Sequence, residues 1–180
     1  MDVHRKFNSM DELLNELEEN YPEITNFTMG PKTHVLITKN IQKPVIYTDG
    51  SCLTNPGPGG WCGCILYPDE NREWIIVGGE EETTNNRMEL IAVIEALSFV
   101  NKECIIYTDS QWTLKCAKGE WKRKVNLDLW KKFDEVSKGK AIDWNWVKAH
   151  NGDKYNELVD KLAREEAKNM KNMKNLKCWE

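Results

Sequence analysis

Short apolar runs separated by turn-forming residues predict the strands of this chain. The runs are rich in Val, Ile, Trp and Tyr, and Gly, Pro, Asn or Asp lie close behind them, as is typical of strands joined by turns. Cysteine also occurs in them, and Cys62 and Cys64 would share one strand face, where the thiol packs as a small hydrophobic group. The predicted strands cover residues 45–49, 61–67, 74–79, 104–109 and 141–148.

Apolar residues recur at helical spacing in four other segments. The predicted helices cover residues 84–100, 111–118, 127–137 and 153–170. Three strands in succession predict an antiparallel meander, whereas the later strands alternate with helices, which favours parallel pairing. We therefore expect an α/β fold with a mixed five-stranded sheet and helices on both faces.

The first 43 residues differ from the rest and predict a small α+β appendage. Ser9-Met10-Asp11-Glu12 has the pattern of a capping box, so a short helix should begin there and end before Pro22. Gly30-Pro31 predicts a turn, and 34–37 predicts a strand. We expect an appendage at 1–43 that packs on the core or contacts a protein partner, a main domain at 44–172 and a tail at 173–180.

The distribution of charge is more informative than its total. The formal net charge is −4, yet nine basic and four acidic residues lie between 111 and 140, and six basic and three acidic residues lie between 161 and 180. Such segments could follow phosphate groups, which favours a nucleic-acid partner. A solvated helix face explains the same pattern, and the charge alone leaves both interpretations open.

Composition restricts the compartment and the kind of metal site. No apolar run approaches the ~20 residues of a membrane helix, and the first residues lack the apolar stretch of a signal peptide. We therefore expect a cytoplasmic protein, or a nuclear one if the host is eukaryotic, with no membrane partner. The six cysteines form no C-x-x-C pair, which disfavours a zinc site and, in a reducing compartment, a disulfide framework.

Two strands carry the same pattern and end in the same residue. Val45-Ile46-Tyr47-Thr48-Asp49 and Ile105-Ile106-Tyr107-Thr108-Asp109 are both short apolar strands that end in aspartate. Nearly continuous apolar runs are typical of central strands covered on both faces, where a carboxylate is costly unless something compensates for it. Each aspartate is followed by Gly or Ser, which places it at an open strand end.

Two further carboxylates lie on or beside apolar helix faces. Glu89 shares a face with Ala92, Val93, Ala96 and Val100, and Asp160 borders the apolar stripe near Ala163 and Ala167. Each acid has an ordinary explanation by itself. Asp49 and Asp109 could be turn or cap residues, Glu89 could pair with Arg87 or Lys102, and Asp160 could be a surface residue.

Together, the four carboxylates predict a divalent-metal site. All four belong to elements that meet the same sheet, so they could converge at one of its ends. Like charges in a cluster repel and raise pKa values, and a bound cation reverses that cost. Oxygen ligands favour Mg²⁺ or Mn²⁺ over zinc, and such ions in pairs are suited to phosphodiester cleavage.

Five blocks of sequence resemble type 1 ribonuclease H, in that family's order. The blocks are Thr48-Asp49-Gly50-Ser51 followed by Asn55-Pro56-Gly57-Pro58-Gly59-Gly60, then Thr83-Thr84-Asn85-Asn86-Arg87-Met88-Glu89-Leu90, then Thr108-Asp109-Ser110-Gln111, then Val147-Lys148-Ala149-His150-Asn151-Gly152, and finally Asn156-Glu157-Leu158-Val159-Asp160-Lys161-Leu162-Ala163. They spread over residues 44 to about 168. The resemblance implies the ribonuclease H-like fold and an endonuclease that hydrolyses the RNA strand of RNA–DNA hybrids.

The resemblance also implies the roles of the acidic residues. Asp49, Glu89, Asp109 and Asp160 match the family's metal-binding carboxylates, and Asp49 would bridge two Mg²⁺ ions, for which Mn²⁺ can substitute. One ion would activate the attacking water and the other would stabilise the leaving 3′ oxygen, so the products would carry 5′-phosphate and 3′-hydroxyl ends. His150 matches a histidine that assists proton handling or product release; the alternative is an ordinary exposed histidine. We expect a monomer.

Substrate contacts are expected at five positions near the predicted metal site. Asn55, Asn85, Asn86 and Gln111 match residues that reach the minor groove of the hybrid, where amides can meet 2′-hydroxyls and base edges. Thr84 begins a helix and could hold a phosphate, cap the helix, or do both.

The chain departs from the family pattern after Trp112. The basic protrusion of bacterial members is absent or reduced to a short loop. Trp121, with Lys122, Arg123 and Lys124, would keep a minimal contact to the DNA strand, or else pack as a turn tryptophan.

Two other functions compete with an RNA-cutting enzyme. A hybrid- or duplex-binding module that does not cut would keep the asparagines and the basic residues but lack a metal carboxylate. A DNA-cutting relative of the same fold, such as an integrase or junction resolvase, disagrees with the block at 83–90.

Overall fold

The computed structural model describes residues 26–29, 35–38 and 42–177 of the chain. The contacts divide it into two compact units, Met1–Gln42 and Lys43–Glu180. In the first unit, strands β1 (Asn26–Met29) and β2 (Val35–Thr38) pair as an antiparallel hairpin. The sequence predicted β2 but missed β1, and the helix predicted after Ser9 lies outside the described residues.

The second unit is built on a mixed five-stranded sheet. Its strands are β3 (Val45–Cys52), β4 (Gly57–Tyr67), β5 (Arg72–Thr83), β6 (Glu103–Thr108) and β7 (Ala141–Trp146), in the spatial order β5-β4-β3-β6-β7. The β3–β4 and β4–β5 pairs are antiparallel, whereas β3–β6 and β6–β7 are parallel. The predicted mixed sheet is confirmed.

Four helices connect or follow these strands. They are α1 (Asn85–Leu97), α2 (Gln111–Ala117), α3 (Leu127–Ser137) and α4 (Lys154–Lys177). Helix α1 ends before the predicted residue 100, and α4 continues past the predicted residue 170. None of the helices among the described residues has the length and apolar character needed to cross a membrane.

Strand β3 continues to Cys52, so the prediction that it ends at Asp49 is wrong, because residues 50–52 keep pairing with β4. Strands β4 and β5 are also longer than the hydrophobic pattern predicted. Residues 57–60 carry three glycines and a proline, and 80–82 are glutamates, so neither segment alternates between apolar and polar residues. Both segments nevertheless continue the ladder between the two strands, with a register shift between Gly57 and Gly59. Backbone hydrogen bonds therefore extend these strands into segments whose side-chain pattern does not indicate a strand.

Apolar side chains cover both faces of the sheet. On one face, Ile46, Ile65 and Ile106 belong to a core that also contains buried residues of α1 and α3. On the other face, Cys62 and Cys64 pack with Val159 and Ala163 of α4. This confirms the prediction of helices on both faces, and of one shared face for the two cysteines.

Two glycines allow helices to come unusually close to the sheet. A Cβ atom on Gly60 would collide with backbone atoms of Ala163 and Ala167 in α4, and one on Gly50 would collide with backbone atoms of Met88 and Glu89 in α1. A glycine at such a point permits an approach that any side chain would block. The Gly50 contact brings the backbone of Glu89 against the strand that carries Asp49.

Candidate active site

The two strands that share a sequence pattern lie side by side. Val45 pairs with Ile105 and Thr48 with Thr108 in parallel register, so the next residues, Asp49 and Asp109, lie next to each other at the same end of the sheet. The rings of Tyr47 and Tyr107 stack with centroids 4.9 Å apart. Since side chains alternate between faces, Asp49 and Asp109 project on the same side as these tyrosines.

Glu89 completes the group from the neighbouring helix. Asp49 is 5% exposed and Glu89 6% exposed, so both carboxyl groups are buried. Oxygens of Asp49, Glu89 and Asp109 all lie within 4.8 Å of one another. We call these three residues the carboxylate site.

Backbone and amide groups hold the acids in place. The Gly50 N–H donates to Asp49 Oδ1 at 2.8 Å, and Asn85 Nδ2 lies 3.5 Å from Glu89 Oε1. The other oxygen, Glu89 Oε2, is buried with no hydrogen-bond partner among the described residues. Burying a hydrogen-bond acceptor without a donor costs free energy, and the cost is far greater when the acceptor is a charged carboxylate.

Burial and mutual repulsion raise the pKa of all three acids. Burial raises the pKa of Asp49 to about 8, with further contributions from the charges of Asp109 and Asp160. Burial, then the charge of Asp49, raises the pKa of Glu89 well above its ordinary range, and burial raises the pKa of Asp109. The cation nearest in sequence does not relieve them, because Arg87 pairs with Asp128 at 3.0 and 3.1 Å.

This donor set fits a hard divalent cation. It offers carboxylate oxygens alone, one of which is buried with no hydrogen-bond partner among the described residues, and a positive charge there would remove the repulsion. Mg²⁺ and Mn²⁺ prefer such oxygen ligands. The alternative pairing of Glu89 with Arg87 is wrong, since Arg87 is engaged by Asp128.

Asp160 and His150 lie at the edge of the carboxylate site. Asp160 is close enough to raise the pKa of Asp49, but it is not one of the three acids whose oxygens converge. Its Oδ1 lies 2.9 Å from Arg164 Nε, and its Oδ2 lies 3.8 Å from His150 Nδ1. The His150 side chain is 63% exposed and its backbone has a φ of 52°, in the left-handed region.

Three of the predicted substrate residues lie at or near the N-terminal end of α1. Asn55 lies in the exposed loop after β3, and its Oδ1 accepts a hydrogen bond from the Asn85 backbone N–H at 3.3 Å. Thr84 occupies the N-cap position of α1 without a side-chain cap hydrogen bond. The first turn of α1 therefore leaves N–H groups unclaimed by the Thr84 hydroxyl.

Asn86 and Gln111 are exposed at the starts of two different helices. Asn86 lies in the first turn of α1, and Gln111 is the first residue of α2, next to the Ser110 cap and two residues after Asp109. Their side chains can therefore meet a ligand that runs past the carboxylate site.

Trp121 lies apart from these residues, in the loop between α2 and α3. The residues from 118 to 126 form neither helix nor strand, which agrees with a reduced protrusion. The Trp121 ring is 46% exposed, and Lys115 Nζ lies 4.8 Å from its centroid. Arg123, in contrast, is turned inward: it donates to the Cys116 carbonyl and pairs with Asp134.

Three residues near these groups were missed as functional candidates. Asn156 is 2% exposed and places Nδ2 3.5 Å from Asp109 Oδ2. Arg164 contacts both Asp160 and His150, and Lys115 lies over Trp121. The spacing of four between Asp160 and Arg164 was a usable sequence signal, whereas the other two contacts depend on the tertiary fold.

Comparison with known proteins agrees with this geometry. Residues 42–168 match the family model described as RNase H. A ribonuclease H of Wolbachia pipientis wMel is 47% identical over 135 residues, which cover 67% of this chain and 92% of that protein. A ribonuclease HI of Caulobacter vibrioides is 45% identical over 139 residues, which cover 68% of this chain and 91% of that protein.

Among solved structures, the N-terminal RNase H domain of a Mycobacterium tuberculosis protein has the same fold. The TM-score is 0.65 at 24% identity, over 73% of this chain and 97% of that one. The fold, the carboxylate site and the similarity at 45–47% identity lead to one conclusion. The chain belongs to the RNase H family, as a type 1, bacterial ribonuclease HI-like enzyme.

Proposed function

We propose that this enzyme is an endonuclease that hydrolyses the RNA strand of RNA–DNA hybrids by two-metal-ion catalysis. The carrying observation is the carboxylate site, in which oxygens of two buried acids and the half-buried Asp109 lie within 4.8 Å of one another, and Glu89 Oε2 has no hydrogen-bond partner among the described residues. The relatives named ribonuclease H support the reaction and the substrate. The products would carry 5′-phosphate and 3′-hydroxyl ends.

The acids would bind the metal ions. Asp49 would hold the metal together with Glu89 and Asp109, because oxygens of all three acids lie within 4.8 Å of one another. Asp160 would join from the edge of the site. Bound Mg²⁺, or Mn²⁺ in its place, would supply activation of the attacking water and stabilisation of the leaving oxygen.

His150 would handle a proton or assist product release. Its side chain is exposed, and it lies in a loop in which Gly152 also has a positive φ, of 80°. An exposed imidazole beside the carboxylate site can contact water or a substrate group and act there as a general acid or base.

Substrate recognition would come from amides, a helix end and one aromatic ring. Asn55, Asn85, Asn86 and Gln111 would meet 2′-hydroxyls and base edges in the minor groove, Thr84 with the α1 end would meet a phosphate, and Trp121 with Lys115 would meet the DNA strand. We further propose that the enzyme acts as a monomer in the cytoplasm. Residues 1–43 remain a proposed contact for a protein partner.

Cleavage of end-labelled substrates tests the proposal. RNA–DNA hybrid, duplex RNA and duplex DNA of one sequence would be compared with Mg²⁺, with Mn²⁺ and with EDTA, and the product ends would be identified by mass spectrometry. We expect metal-dependent cutting of the RNA in the hybrid alone. Preferential cutting of duplex DNA, or binding of hybrid without cutting in either metal, would overturn it.

A further inference from the structure

Arg164 contacts both groups at the edge of the carboxylate site. Its Nε lies 2.9 Å from Asp160 Oδ1, and its Nη2 lies 3.3 Å from His150 Nε2. His150 Nδ1 in turn lies 3.8 Å from Asp160 Oδ2. The three side chains therefore form a closed triangle of contacts.

One of these three contacts, between Asp160 and Arg164, lies within helix α4 and does not depend on the loop that carries His150. Asp160 and Arg164 are four residues apart on α4, so they share a helix face and pair within the same element. A second contact connects the His150 loop to α4, because the Gly152 N–H donates to Glu157 Oε1 at 3.0 Å. Arg164 thus offers the His150 ring a docking point at a defined place on the helix.

The guanidinium of Arg164 determines which nitrogen of a neutral His150 ring carries the proton. Arginine has N–H donors and no acceptor, so its contact with His150 Nε2 is a hydrogen bond only if Nε2 carries a lone pair. A neutral imidazole then has its proton on Nδ1, the nitrogen that faces Asp160.

We propose that Arg164 is a positioning residue that orients His150 toward Asp160 and selects its Nδ1–H tautomer. The inference rests on the proposed function only for its catalytic consequence, since the contacts stand without it. Asp160 is held by the same guanidinium, so one side chain sets the geometry of both edge residues.

The tautomer can be measured on the metal-free protein. Long-range ¹H–¹⁵N correlation spectra of the histidines would be recorded at about pH 8.5, where an ordinary imidazole is neutral, and the His150 signals would be assigned by their loss in His150→Ala. We expect the Nδ1–H pattern in the wild type and a shift of population toward Nε2–H in Arg164→Ala. Identical His150 patterns in the two proteins would overturn the proposal.

Lys161→Ala is the matched control. It removes one positive charge from the same helix, and Lys161 pairs with Glu165 rather than with the edge residues. The His150 pattern should be unchanged in this variant. Both side chains are more than half exposed, at 70% for Lys161 and 51% for Arg164, so both variants should fold, as circular dichroism would verify.

Kinetics on the hybrid separates positioning from binding. Loss of a residue that orients a catalytic group typically costs about 10–100-fold, so Arg164→Ala should lower kcat about 10-fold or more with KM within about 3-fold, while Lys161→Ala leaves kcat unchanged. An unchanged kcat in Arg164→Ala would reject the catalytic consequence. If the wild type does not cut hybrid at all, the proposed function fails, while the spectra still decide the role of Arg164.

Discussion

Charged residues lie close together in two regions of this molecule, with opposite arrangements. In the first, which we call the paired corner, the guanidiniums of Arg87 and Arg123 meet Asp128 and Asp134 at 2.7–3.1 Å. Arg123 also stacks on Trp130 and Phe133, with its guanidinium carbon 4.3 and 5.3 Å from the ring centroids. In the second, the carboxylate site, Asp49, Glu89 and Asp109 face one another without a lysine or arginine among them.

The comparison shows what each arrangement accomplishes. In the paired corner an opposite charge meets each arginine and aromatic rings also contact Arg123, so these contacts join α3 to α1 and α2. In the carboxylate site burial, and then the charges of Asp109 and Asp160, raise the pKa of Asp49 to about 8, so the repulsion is left in place. Repulsion that the protein does not relieve is what a divalent cation can relieve, so the destabilised region is the functional one.

Removing a carboxylate from the site should produce the largest effect, on activity. Asp109→Asn keeps the shape of the side chain but removes a charged ligand, so we expect hybrid cleavage to fall by at least about 100-fold, the scale of losing a preorganised electrostatic group. Initial rates in Mg²⁺ would measure it. Asp128→Asn, the same change in the paired corner, should retain nearly full activity; equal losses in both variants would remove the distinction between the regions.

The pH dependence of stability should separate the two regions next. The pKa of Asp49 rises from an ordinary 3.8 to about 8 in the folded protein, so the folded chain binds more protons than the unfolded chain between these values. The contribution of Asp49 to the free energy of unfolding is therefore fully present below about pH 4 and is lost as pH rises through about 8. Asp49→Asn removes this loss.

Thermal unfolding in EDTA checks this expectation. The melting temperature of Asp49→Asn should exceed that of the wild type, and the difference should widen from about pH 5 to about pH 9. At pH 9 it should reach at least roughly 2–4 °C, which corresponds to about 1 kcal/mol in the free energy of unfolding. Mg²⁺ should narrow the margin by stabilising the wild type alone. A margin that shrinks with pH would contradict the assigned burial.

Arg123→Ala should destabilise the paired corner by an intermediate amount. It removes two ring contacts, the hydrogen bond to the Cys116 carbonyl and the pair with Asp134. Because the side chain is 25% exposed, we expect a loss of about 1–3 kcal/mol in the free energy of unfolding by urea. Lys124→Ala, a neighbouring exposed cation, should change it little.

Asp134→Asn should produce the smallest effect. The Asp134 side chain is 62% exposed, and solvent-exposed ion pairs contribute at most about 1 kcal/mol. Urea unfolding should show a loss within that limit, and hybrid cleavage should not change. A loss as large as that of Arg123→Ala would mean that the pair, and not the ring contacts, stabilises the corner.

The sequence predicted the framework of the site better than its edges. Asp49 and Asp109 followed from two matching apolar strands, and the structure pairs those strands in register. Glu89 followed from its position on an apolar helix face. These inferences succeeded because periodicity reports which side of an element is covered.

Other features could not be predicted because they depend on close approaches between distant segments. The Gly50 contact with α1 depends on the absence of a side chain at one crossing. Arg123 belonged to a basic run that resembled a phosphate contact, yet its guanidinium is directed toward Trp130 and Asp134. Charge runs do not reveal which of their members fold inward.

Binding of Mn²⁺ tests the central claim most directly. The electron paramagnetic resonance signal of free Mn²⁺ would be followed during titration of the wild type, Asp49→Asn and Asp128→Asn. We expect the wild type and Asp128→Asn to bind the ion alike and Asp49→Asn to bind at least about 10-fold more weakly. Equal binding by all three proteins, or none by the wild type, would contradict the assignment of the carboxylate site as a metal site.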